Sequence, residues 1–129
     1  MNPWLLVVLV GTAGAAGAVA RFLVAELAAR LWSGRLPIAT LVINVSGAFA
    51  LGLLLTAGGP ANTALFTLRV VLGTGFLGGY TTFSTFAHEA HTLQRQGRAR
   101  HATLYTSLSL LLGVVSAALG IALGGLLHT

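Results

Sequence analysis

The sequence has no cysteine, no lysine and no aspartate, and its acidic residues are two, Glu26 and Glu89. Without thiols, neither a disulfide framework nor a thiolate metal site can form. Charged residues make up 7% of the chain and hydrophobic ones 56%, too little charge to cover the surface of a soluble domain. No carboxylate falls inside an apolar run: Glu26 follows the first, and Glu89 follows a phenylalanine pair in the third. A proton-coupled exporter of cations needs an intramembrane carboxylate that alternates between proton and substrate, which argues against a small multidrug or cation exporter. No nucleophile has a positioned base, so nothing indicates an enzyme.

Four apolar stretches are present, at residues 4–20, 36–57, 70–87 and 102–127. A bilayer core of ~30 Å, crossed at ~1.5 Å per residue, takes about 20 residues of helix. The second and fourth stretches reach that length, and the first and third do so when extended across Arg21 and Arg69, whose long side chains reach a headgroup layer or a polar cavity. The expectation is an all-α membrane protein with a single transmembrane domain over 1–129 and helices near 3–30, 36–57, 64–94 and 100–127. Its breaks fall at 31–37, 57–62 and 94–100, each with glycine or proline beside polar residues. Trp4 and Trp32 stand at opposite ends of the first helix, as interfacial anchors do. Met1-Asn2-Pro3 has no basic residue ahead of the first run, so that run reads as a retained helix and not as a secretory leader.

Seven arginines set the net charge at +5. They lie mainly at the ends of apolar runs, as topology signals and headgroup contacts do, and nucleic acid is not an expected partner. Arg30, Arg35, Arg95, Arg98 and Arg100 share one side of the membrane and Arg69 stands near the other, which places the arginine-rich loops in the cytoplasm. Gly11, Gly14 and Gly17 line one side of the first helix, and Gly120 and Gly124 form a GxxxG in the last. Such residues bring helix backbones together, either within the chain or between copies in a homo-oligomer.

The densest chemistry lies at residues 73–86, where Gly78-Gly79-Tyr80-Thr81-Thr82 is poor helix material at mid-membrane depth. One reading is a helix break whose free carbonyls hold a Na⁺. The other is a glycine-packed helix whose hydroxyls bond back to their own turn. Phe83 and Phe86 share a helical face. They are either lipid-facing or core rings, or ring edges whose positive rim stabilises a small anion, flanked by Thr82, Ser84 and Thr85. Asn44, with Thr40 one turn earlier, offers two amide donors in an apolar run; it is either interhelical glue or a binding group. Tyr105, Ser109 and Ser116 form a stripe of hydroxyls on the last helix. His88, Glu89 and His91 read as an interfacial polar cluster rather than a metal site. Donors, ring edges and arginines without a deep carboxylate suit an anion.

These residues resemble a known family. Residues 14–22 (Gly-Ala-Ala-Gly-Ala-Val-Ala-Arg-Phe), 39–47 (Ala-Thr-Leu-Val-Ile-Asn-Val-Ser-Gly) and above all 75–86 (Gly-Phe-Leu-Gly-Gly-Tyr-Thr-Thr-Phe-Ser-Thr-Phe) are similar to segments of the fluoride channels called Fluc or CrcB. The resemblance covers essentially the whole chain, with Tyr80 standing where the family pattern often has Leu. It implies a multi-pass protein of a bacterial-type inner (plasma) membrane, the third of its four helices broken near mid-membrane, that forms an antiparallel, dual-topology homodimer with two pores. Passive exit of cytoplasmic fluoride would limit its toxicity. On this resemblance Asn44 donates to fluoride, Phe83 and Phe86 form a box of ring edges, and Tyr105 and Ser109 belong to a polar track. Gly78 and Thr81 carbonyls from both subunits hold a structural Na⁺, Arg21 closes the first helix, and Glu89 sits in a vestibule. The arginine bias fits a fixed orientation better than a dual one, which leaves a non-conducting subunit of a heterodimeric channel as an alternative.

Overall fold

A computed structural model describes residues 2–57 and 63–127. Much of the expected break at 57–62 therefore lies outside the described residues.

Helix α1 (Pro3–Leu31) starts where the chain supplies both parts of a helix start. Asn2 Oδ1 accepts from the Trp4 N–H at 3.0 Å, and Pro3 opens the helix at a position where its missing N–H costs nothing. The chain leaves helical geometry at Trp32, whose indole N–H donates to the Leu36 carbonyl at 3.0 Å and ties the connecting loop. Helix α2 (Ile38–Thr56) begins directly after Pro37.

The next region is segmented. A short α3 (Thr63–Arg69) widens into a π-helical stretch, Val70–Leu77, followed by one α-turn, α4 (Gly78–Tyr80). Thr81 and Thr82 are extended (φ −78°, ψ 158° and φ −149°, ψ 116°), and α5 (Phe83–Arg95) starts after them. Gly78 and Gly79, expected to disturb the helix, are themselves helical; the departure comes at the threonines. A helix C-terminus of the Schellman type ends α5. Gly97 takes φ 73°, its N–H reaches the Gln94 carbonyl, and the Arg98 N–H reaches the Leu93 carbonyl at 3.0 Å. Helix α6 (Ala99–Leu126) follows.

The described residues contain helices and no strand, and α1, α2 and α6 are each long and apolar enough to cross a bilayer. The chain is a multi-pass membrane protein. Large side chains such as Phe22, Leu111 and Val114 point outward along these helices, where hydrocarbon rather than water is their solvent.

Two helix pairs dominate the packing. The most extensive contact joins α2 to α6, and the next joins α1 to the π-helical stretch. Both seams are closed by glycine at backbone contact distance. Gly120 lies on the Phe49 carbonyl, and a Cβ on Gly75 would stand 2.8 Å from the Val10 carbonyl. Gly14, Gly17 and Gly79 serve the α1 seam, and Gly52 and Gly124 the α2–α6 seam. The small-residue stripes are thus used inside the chain, with open space only at Gly11 among the three on α1.

Candidate functional site

The extended pair Thr81–Thr82 is held by a side chain from another helix. Asn44 on α2 accepts from the Thr82 N–H at 2.8 Å and donates to the Thr82 carbonyl at 2.9 Å. A primary amide matches both groups of one peptide residue, so it satisfies backbone that has no helical partner. Its second amide N–H has no partner among the described residues.

This clamp diverts the donors that a continuous helix would have used. The Thr82 N–H would bond the Gly78 carbonyl but goes to Asn44. The Thr85 N–H would bond the Thr81 carbonyl but goes to Thr82 Oγ1 at 3.2 Å, which caps α5. The Gly78 and Thr81 carbonyls are therefore freed from their helical donors. Thr81 is otherwise fastened by its N–H and hydroxyl to the Leu77 carbonyl, at 2.9 and 2.8 Å, and its carbonyl meets the Arg21 guanidinium at 3.5 Å, a long contact. On the α5 side the turn presents donors: Thr82 Oγ1 bonds Thr85 Oγ1 at 3.0 Å and lies 3.3 Å from Ser84 Oγ.

Phenylalanines extend from this cap. Phe83 is 78% exposed, and its ring centroid lies 5.7 Å from that of Phe86. Phe86 packs in turn on Tyr105 at 5.4 Å, the planes tilted by 48°. Tyr105 is 1% exposed, and its hydroxyl donates to Glu89 Oε2 at 2.7 Å, while Thr40 donates to Glu89 Oε1 at 3.0 Å. A carboxylate thus stands between α2 and α6, both oxygens held by hydroxyl donors. A cavity of about 420 Å³ opens at Asn44, Gly47, Gly78, Thr81, Thr82 and Phe83. A second, of about 320 Å³, lies among Arg21, Thr40, Thr82 and Thr85, with Thr82 shared by both.

A family profile described as CrcB-like protein, Camphor Resistance (CrcB), matches residues 8–121. The chain belongs to the CrcB family. Among its relatives, the fluoride-specific ion channel FluC 1 of Lactiplantibacillus plantarum is 47% identical over 118 residues, 89% of this chain and 97% of that protein. Fluoride-specific ion channel FluC 2 of Moorella thermoacetica is 43% identical over 111 residues, covering 86% and 89%. Fluoride-specific ion channel FluC 1 of Symbiobacterium thermophilum is 44% identical over 118 residues, covering 91% and 95%.

In this CrcB chain the sequence candidates fall into two connected groups. Asn44, Thr81, Thr82, Ser84, Thr85 and Arg21 meet at the turn; Thr40, Glu89, Tyr105 and Phe86 meet one helical turn away. Phe83 and Gly78 face outward from the single chain. Ser109 Oγ is buried with no hydrogen-bond partner among the described residues, whereas Ser116, expected on the same stripe, bonds the Val45 carbonyl at 2.8 Å. Reading the sequence missed Glu89 as a partner of Thr40 and Tyr105. The available signal was its place three residues after Phe86, on the face that α5 turns inward.

Proposed function

We propose that this chain is a fluoride-selective channel through which cytoplasmic fluoride leaves the cell passively. The geometric observation that carries the reading is Asn44. It fixes the Thr81–Thr82 turn with two bonds and, among the described residues, keeps one amide donor free beside a cavity. An anion that sheds water needs such donors, held in place before it arrives. The names of the relatives support the same substrate. Phe83 and Phe86 then supply ring edges, and Thr40, Thr82, Ser84, Thr85, Tyr105 and Ser109 line the path with hydroxyls. Glu89 and Arg21 stand at its margins.

The conducting unit in this proposal is an antiparallel homodimer in the inner membrane. The outward placement of Phe83 and Gly78 supports it, because a second copy would cover both. Gly78 and Thr81 fit a structural Na⁺ at that contact, since their carbonyls are released from helical donors and carbonyl oxygen suits a hard cation. When bound, the ion would join the turns of the two copies by its charge.

Fluoride release from liposomes holding the purified protein, with chloride-loaded liposomes as the control, tests the reading. Fast fluoride release without chloride leak is expected. Phe86→Ile, which removes the ring edge and little volume, is expected to block release while the protein still elutes as a folded dimer. Equal leak of both anions, or normal release by Phe86→Ile, would count against the selective pore and the ring-edge role respectively.

A further inference from the structure

Tyr80 stands where the CrcB pattern often has Leu, and neither the Asn44 clamp nor the phenylalanine pair uses it. Its side chain leaves α4 one residue before the extended Thr81. The ring stacks on Phe76, with centroids 6.1 Å apart and planes 12° apart. It then passes Gly47 of α2, where a Cβ would stand 3.5 Å from Tyr80 Cδ1 and would run into the Thr81 side chain. The hydroxyl ends 2.9 Å from Ser46 Oγ on α2. Ser46 has one hydroxyl proton and donates it to the Ile43 carbonyl at 3.1 Å, so Tyr80 is the donor of the pair.

Helix α2 thereby grips both neighbours of Thr81. Asn44 holds Thr82, the residue after it, and Ser46 holds Tyr80, the residue before it. On the α1 side the same turn is packed and not bonded by side chains at Gly79 and Tyr80. Gly79 lies on the Gly14 carbonyl, and a Cβ on Gly17 would stand 2.9 Å from the Tyr80 backbone nitrogen. Such packing sets the distance between backbones, whereas a hydrogen bond weakens steeply when its angle changes and so resists rotation. Ser46 is exposed midway along α2 (Ile38–Thr56), where hydrocarbon rather than water surrounds an outward side chain. A hydroxyl stranded there has no solvent to turn to, which keeps the bond made.

From this arrangement we propose that Tyr80 is a positioning residue for the anion path: its bond to Ser46 fixes the rotation of the α4 turn, and with it the Thr82 peptide that Asn44 grips. The proposal rests on the channel reading for its effect on fluoride. The Asn44 amide is planar, and its oxygen and one N–H both go to Thr82. The direction of its second N–H, free among the described residues, is therefore set by where the Thr82 peptide stands. A turn that rotates on its glycine seam carries that donor off line. An ion that has shed water then binds less well, since the donor is no longer in place before it arrives, while the width of the path is unchanged.

Fluoride release from liposomes across a range of fluoride concentrations separates binding from passage. Tyr80→Phe keeps the stacked ring and removes the donor. Its half-saturating fluoride concentration is expected to rise about fivefold, the effect of one neutral hydrogen bond, with the maximal rate within about twofold of wild type. Ser46→Ala is expected to match it, and Ser46→Thr, which keeps an acceptor oxygen, to behave as wild type. The double variant Tyr80→Phe, Ser46→Ala should be no worse than either single one. Wild-type half-saturation in Tyr80→Phe, or single effects that multiply in the double variant, overturns the proposal. So does a lower thermal midpoint in detergent with half-saturation unchanged, the result of a role in packing alone. Hydrogen exchange of the peptide spanning 78–85 in detergent reads the turn without flux. Faster exchange in Tyr80→Phe and Ser46→Ala supports the tie, and exchange unchanged in both overturns it. A wild type that releases no fluoride overturns the channel reading instead, and the exchange measurement then decides the tie alone.

Discussion

One turn apart on α2, Thr40 and Asn44 stand at polar sites of opposite character. At Asn44 the protein supports backbone with a side chain: the amide holds an extended residue, and one donor remains free among the described residues. At Thr40 side chains alone enclose a carboxylate, which receives a hydroxyl from α2 and another from α6. The first site has donor capacity to spare, and the second has an acceptor whose two oxygens are each already bonded. An anion is attracted to the first and gains nothing from the second unless a hydroxyl there turns away from Glu89. Helix α2 supplies both with residues four apart, on one face, so the contrast comes from the partners.

The largest expected effect comes from making the first site resemble the second. Asn44→Asp puts an acceptor opposite the Thr82 carbonyl and removes the free donor. Fluoride release in liposomes is expected to fall about 100-fold, since a lost donor to an ion costs about 1.5–3 kcal/mol and like charge adds to it. If release stays within about threefold of wild type, a tolerance of about 0.7 kcal/mol, Asn44 is not on the path.

How far these sites were readable in advance follows from the range of each interaction. The apolar runs of α1, α2 and α6 are local patterns, and each of these helices is long and apolar enough to cross a bilayer. Thr82 as the cap of α5 is equally local. The π-helical stretch was not readable. It depends on Gly75 and Gly79 fitting against the Val10 and Gly14 carbonyls of α1, a contact across more than sixty positions. For the same reason Gly79 misled: its flexibility suggested a break, and its small size is what the packing against Gly14 uses. The tie from Asn44 to Thr82, and from Glu89 to Thr40, joins residues 38 and 49 apart. Sequence patterns identify such polar residues as needing partners without naming them.

At the second site, Tyr105→Phe keeps the ring against Phe86 and strands Glu89 Oε2. Removing a hydroxyl donor from a carboxylate between helices is expected to cost about 2 kcal/mol, read as a lower thermal midpoint in detergent. An unchanged midpoint would mean that water replaces the hydroxyl and that the site is wetter than its burial suggests. Glu89→Gln is milder, because an amide still accepts from one hydroxyl and the other hydroxyl can rotate to accept from it. A loss of about 1 kcal/mol is expected. In the Gln background Tyr105→Phe should cost less than in the wild type, a coupling of about 1 kcal/mol. Additive losses would show that the two groups do not act through the bond between them.

Ser116→Ala is the smallest change and fixes the scale for the others. Ser116 Oγ donates to the Val45 carbonyl at 2.8 Å across the α2–α6 seam, near neither polar site. That carbonyl belongs to the interior of α2 and keeps its helical donor, so the serine adds a second bond to an acceptor already satisfied. Losing it leaves no orphaned group, and the expected cost is about 0.5 kcal/mol with fluoride release unchanged. If Ser116→Ala instead costs as much as Tyr105→Phe, hydroxyl bonds across this seam carry a uniform weight in lipid. The contrast between a saturated carboxylate and an ordinary interhelical bond would then have no energetic content.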